Sequence, residues 1–154
     1  TSGDQVVTEN FEIKMDPRVK DITMADMQEK FNLAIQIRDQ VTVANDAVIK
    51  IRSIKEKLNE QAKASKKALS KSSISLIAAI SKIEENLYQV RNQSSQDPLN
   101  FPIKLNNKMA SLMRVVESGD YKPTAGSYKV FEELKAELAI EINQLNKLLA
   151  EAKL

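Results

Sequence analysis

The sequence predicts an all-α protein, an up-down antiparallel bundle of three long helices and one short one, led by an N-terminal extended strand or arm. Three observations carry this. The 154 residues hold only 3 Gly and 4 Pro, too few for the many turns of an all-β fold. Between Pro17 and Pro98 neither residue type occurs at all. Along that stretch, and again after Pro102, apolar residues return at threes and fours, which lines them up on one face of a helix.

The elements follow in chain order. Within residues 5 to 15, Phe11, Ile13 and Met15 alternate with Glu12 and Lys14, the period of a strand. A lone strand is unstable in water, so this one either pairs with a neighbouring domain or crosses the bundle as an arm. Asp16-Pro17-Arg18 ends it, because proline has no N–H to donate and forces its predecessor to be extended. The domain boundary falls there, with residues 1–19 as the extended segment and residues 20–154 as the helical domain. Thr23 caps the first helix, Asp26 three residues on completes a capping box, and Ile22 is placed to staple onto Met27.

A helix running unbroken from Thr23 to Pro98 is on the order of 110 Å long, so a compact chain must fold it back. Residues 63 to 73, KASKKALSKSS, are where it turns, since serine competes for backbone hydrogen bonds and the apolar stripe thins out. Before that turn, Met27, Phe31, Ala34, Val41, Ala44, Val48, Ile51 and Leu58 form the buried face, and Leu33, Ile37, Ala47 and Ile54 widen it. After it, Leu69, Ser73, Leu76, Ile80, Ile83, Leu87 and Val90 repeat strictly at four and three, a heptad seam. The polar residues 92 to 102, with two prolines, are a connecting loop. A shorter third helix carries Ile103, Leu105, Met109, Leu112, Met113 and Val116 on its apolar side and ends before Gly119. The last helix takes Thr124 as N-cap and buries Phe131, Leu134, Leu138, Ile142, Leu145, Leu149 and Ala152. Short connections favour antiparallel neighbours.

Composition bounds the chemistry. With 23 Lys+Arg against 21 Asp+Glu the formal charge is +2, too balanced to announce nucleic acid or an anionic membrane as partner. The absence of Cys removes thiolate nucleophiles and thiolate metal sites, and the absence of His removes the commonest acid-base and metal-ligand side chain. No apolar run approaches the roughly 20 residues that span a bilayer. No catalytic residue, metal or cofactor is therefore expected.

Some residues could still bear chemistry. Glu84-Glu85, Glu132-Glu133, Glu137 and Glu141 would suit paired carboxylates, but beside Lys82, Lys129 and Lys135 they read as solvated helix faces. Lys63, Lys66, Lys67 and Lys71 lack interleaved aromatics and read as a solvated turn. Met24, Met27, Met109 and Met113 stand at core spacing and read as filling. Asn106-Asn107 puts one poor helix former near the buried stripe, where it serves either as a buried amide tying down the preceding loop or as a ligand site. Tyr121 and Tyr128 bracket a Pro turn, to pack it or to stack a sugar.

Three phrases carry a resemblance: FEIKMDPRVK at residues 11 to 20, QDPLNFPIKLNNKMASL at 96 to 112, and VVESGDYKPTAGSYKVFEEL at 115 to 134. Together they resemble the C-terminal region of BNR/Asp-box-repeat, sortilin-like proteins of bacteria, the Bacteroidetes among them, often labelled glycosyl hydrolases. The departures concentrate in residues 60 to 73. The resemblance implies a β-propeller and a β-sandwich ahead of a helical tail, with Phe11, Ile13 and Met15 ending the sandwich and contacting it. It implies an extracytoplasmic location, places the hydrolase label on the propeller, and assigns no catalytic residue to the tail. The function expected is a non-catalytic helical accessory or interaction domain whose partners are the sandwich and propeller. Two rivals stand beside it: a carbohydrate-binding accessory domain using Asn106, Asn107, Tyr121 and Tyr128, and a self-associating scaffold, a homo-oligomer built on apolar stripe left over on the first helix.

Overall fold

The computed structural model describes Gly3 and residues 6–152, the side chain of Pro98 excepted, so Gln5 at the head of the alternating segment lies outside the described residues. Four helices occur in the order α1 (Met24–Ala64), α2 (Lys71–Leu87), α3 (Leu105–Glu117) and α4 (Ala125–Glu151), and the described residues contain no strand. The fold is an all-helical bundle. Residues 6–22 run ahead of it as an arm.

Three of the four helices begin at a side-chain cap, and α3 begins after Lys104 without one. The Thr23 side chain accepts from the Asp26 N–H while the Asp26 carboxylate accepts from the Thr23 N–H, the reciprocal capping box its sequence specifies. Ser70 and Thr124 cap α2 and α4 by accepting from the N–H groups of Ser73 and Ser127. α1 stops inside the Ser/Lys-rich stretch. Its C-cap is Ser65, Lys66 takes the left-handed conformation at φ 51°, and the N–H groups of Lys66 and Lys67 return to the carbonyls of Lys63 and Ala62. That is a Schellman ending with lysine where glycine is usual. α3 ends conventionally, with Gly119 just beyond it at φ 125°.

The contacts between helices give the course of the chain. Arg52 and Lys55 of α1 meet Glu84 of α2, and Leu58 lies by Ser73, Leu76 and the end of α4 at Ala152. Asn45 meets Asn106 of α3, and Lys30 donates to the Gly119 carbonyl. α2 and α3 thus both run antiparallel to α1, α2 along its C-terminal part and α3 along its N-terminal part. They form two segments of one descending column, between an ascending α1 and an ascending α4. α1 needs 41 residues, about 60 Å, because it spans both segments.

Leu33, Ile37, Ala44, Val48 and Ile51 of α1 form one core with Ile80, Ile83 and Leu87 of α2, Leu105, Met109 and Leu112 of α3, and Phe131, Leu138, Leu145 and Leu149 of α4. The stripe of α1 is turned relative to the spacing that begins at Met27. Leu33 and Ile37 are its centre, and Phe31 is 59% exposed. Met24 is exposed in the first turn of α1 and does not fill the core. Val90 and Ile103 are exposed because α2 ends at Leu87 and α3 begins at Leu105, leaving both outside the helices that would bury them. Ala152, the C-cap of α4, is exposed as well. No described helix is long and apolar enough to cross a membrane.

Candidate functional site

The arm is the part of the chain least satisfied by its own fold. Asp16 holds a local turn, accepting from the backbone N–H of Arg18 at 3.0 Å and from its guanidinium at 2.7 Å. Those bonds, the guanidinium first, keep the Asp16 carboxyl below its ordinary range. Ile13, Met15 and Val19 line a groove of about 340 Å³ with Ile22, Met24, Met27 and Asp120. Ile22 and Met27, the staple pair, share that groove. Phe11 and Ile13, which stand at the alternate spacing of a strand, are each 87% exposed, so both are apolar and uncovered. Met15, the third residue of the alternation, is the least exposed of the three.

A second cluster joins α1 to α2. Glu84 corrects the sequence reading, which placed it with Glu85 on a solvated face: it is only 4% exposed, because cations from α1 cover it. Arg52 Nε donates to its Oε1 at 2.6 Å and Lys55 Nζ to its Oε2 at 2.9 Å, while the Arg52 guanidinium lies 5.0 Å over the Tyr88 ring. Burial by itself pushes the Glu84 carboxyl up. The hydrogen bonds and charges of Lys55 and Arg52 together outweigh that and hold it below its ordinary value. Both oxygens are engaged by cations, so the group works as a clasp between helices. The signal for it is in the spacing, since Glu84 follows Ile80 by four and precedes Leu87 by three. Glu132 and Glu133 behave as their sequence suggests, pairing with Lys135 and Lys129 on the surface of α4. Glu141 does not: it is half-buried, one oxygen accepts from Asn86 at 2.9 Å, and the other is buried with no partner among the described residues.

The pair Asn106-Asn107 divides as helical geometry requires. Asn106 is buried and Asn107 exposed. Asn106 Nδ2 donates to Asn45 Oδ1 of α1 at 3.2 Å, and its own Oδ1 is buried with no partner among the described residues. The amide therefore ties α3 to α1 and not to the preceding loop. The loop is closed by Gln89, whose Nε2 donates to the Pro102 carbonyl at 2.9 Å, and by Asp97, which accepts from the N–H and hydroxyl of Ser94. Tyr121 and Tyr128 are both exposed on either side of the buried Pro123. The Tyr121 ring packs over Gly119, so close that a Cβ there would stand 2.6 Å from it. No groove described here is lined by Asn106, Asn107, Tyr121 or Tyr128. Lys63, Lys66, Lys67 and Lys71 are all exposed around the α1–α2 turn.

A third feature runs along the outside of α1. Asp46, Ile49, Lys50, Ser53, Ile54, Lys57, Leu58 and Gln61 line a shallow groove of about 490 Å³ that runs from the exposed Asp46, Ile49, Lys50 and Lys57 to Ile54, which packs on the core at its inner edge. Among the described residues no cluster of three acids, histidines or cysteines is placed to hold a metal ion. No protein-family model, no curated protein and no solved structure matches the chain.

Proposed function

We propose that the chain is a non-catalytic helical interaction domain that attaches to a neighbouring β-sandwich through its N-terminal arm, within a larger protein of the BNR-repeat kind. The observation that carries this is the arm. Phe11 and Ile13 expose apolar side chains at the alternate spacing of a strand, in a segment with no strand partner among the described residues, which suits a strand that completes another sheet. The wording of residues 11 to 20 and 96 to 134, set out above, supports the choice of neighbour.

The test is the coding sequence ahead of Thr1 and the longer chain it specifies. Asp-box repeats and sandwich strands are expected there, with the amides of Phe11 to Met15 protected from hydrogen exchange in the longer chain and exchanging freely in the 154-residue one. A start codon immediately upstream of Thr1, or an arm that exchanges freely in both chains, overturns the reading.

A further inference from the structure

The outward face of α1 has a heptad of its own. Asp39, Val43, Asp46, Lys50, Ser53 and Lys57 recur at four and three, and all are exposed except the half-buried Ser53. This seam is separate from the core stripe of Leu33, Ile37, Ala44, Val48 and Ile51. It is flanked by Ile49, 64% exposed, and it runs into the groove between Asp46 and Gln61. Its charges are segregated: both acids lie in the first half and both bases in the second.

We propose that this face pairs with the same face of a second copy of the chain, the two α1 helices antiparallel and related by a two-fold axis at the level of Val48. In that register Asp46 faces Lys50 of the other copy, Asp39 faces Lys57, and Val43 faces Ser53, each pairing occurring twice. Val43 and Ile35 of each copy then enter the groove of the other, beside Ile54 and Gln61. No like charges stand opposite one another along the seam. A parallel, in-register pairing sets Asp46 on Asp46 and Lys50 on Lys50, so charge selects the antiparallel form. An unrelated helix would have no reason to match a pattern that is complementary to its own reverse, and this is why the occupant is a second copy. The proposal stands on α1 alone and does not use the arm.

Light scattering on the full chain should show twice the 17.3 kDa chain mass at high micromolar concentration, with the dimer weakening as salt is added. Asp39→Lys with Asp46→Lys makes an all-basic seam, and Lys50→Asp with Lys57→Asp an all-acidic one. Each variant alone should be monomeric, with dissociation constants raised at least about tenfold, and an equimolar mixture should recover the dimer. Circular dichroism checks that both retain their helices. Because the chain has no Cys, Val43→Cys mixed with or combined with Ser53→Cys gives an independent readout. On one helix these positions are about 15 Å apart and cannot bridge, so a disulfide between them joins two copies. A monomeric wild type, a mixture that stays monomeric, or failure of the cysteines to cross-link overturns the proposal.

Discussion

α2 and α3 occupy the same column and pack on the same two helices, yet each is fastened to α1 by a different kind of buried polar group. α2 uses a carboxylate, Glu84, with a cation on each oxygen. α3 uses a neutral amide, Asn106, with one donor engaged and its oxygen unpartnered. A charge cannot be left uncompensated in a core, whereas an amide survives half-satisfied at a cost of about 1–3 kcal/mol. The turns differ too, since α1 reverses into α2 through a strained lysine and α3 reverses into α4 through a glycine. Both segments pack on the common core, and the α2 segment carries in addition a buried charge that must stay compensated.

The largest expected effect follows from the charge. Arg52→Ala combined with Lys55→Ala strands a buried carboxylate and should cost about 3–5 kcal/mol in denaturant unfolding, beyond the loss of the contact of Arg52 with Tyr88. A loss under about 1 kcal/mol would show that the clasp carries no weight. Acid should act on the same half. A carboxyl whose folded-state pKa is depressed contributes stability above its unfolded value, and that contribution disappears as the pH falls through the folded one. Below about pH 4 the wild type should therefore lose more stability than Glu84→Gln does, and the amides of α2 should exchange before those of α3, which hydrogen exchange by mass spectrometry can read. Equal acid sensitivity of the two segments would contradict the division.

The turns give smaller effects of opposite sign. Gly119→Ala places a Cβ at positive φ against Tyr121 and should lower stability by about 1–3 kcal/mol. Lys66→Gly relieves a left-handed lysine in a Schellman ending and should raise the melting temperature, by up to about 1 kcal/mol in stability. Asn106→Leu is the smallest. It removes an unpartnered acceptor from the core while the half-exposed Asn45 can turn to water, so its stability should stay within about 1 kcal/mol of wild type. A loss matching that of the Arg52/Lys55 variant would mean that the amide pair holds α3 as firmly as the clasp holds α2.

How far each feature was legible depends on the range of the physics behind it. The caps at Thr23 and Thr124 and the glycine ending at Gly119 are set by bonds within three or four residues, and they stand where the sequence puts them. The turn between α1 and α2 falls inside residues 63 to 73 for the same reason, though nothing in the local sequence picks Lys66 for the left-handed position. Asn106 was legible as an amide near the core, but its partner Asn45 lies 61 residues away and no local rule reaches it. Glu84 stands beside the seam of α2, four after Ile80 and three before Leu87, and its charge hid it, because a carboxylate is read as solvated until cations from another helix are known to cover it. The direction of burial of Phe31 was lost similarly: two apolar stripes compete on α1, and only the neighbours it packs on decide which one faces inward.

By itself, then, the sequence determined the four helices, the capped starts at Thr23 and Thr124, the glycine ending at Gly119 and the absence of histidine and thiol chemistry, since propensity, capping and composition are properties of neighbouring residues or of none. Tertiary structure alone decided that α2 and α3 share one column and that Glu84 is a buried clasp. It also decided which stripe of α1 is left outside, because each of these depends on contacts between residues far apart in the chain, where helical period constrains faces but not partners.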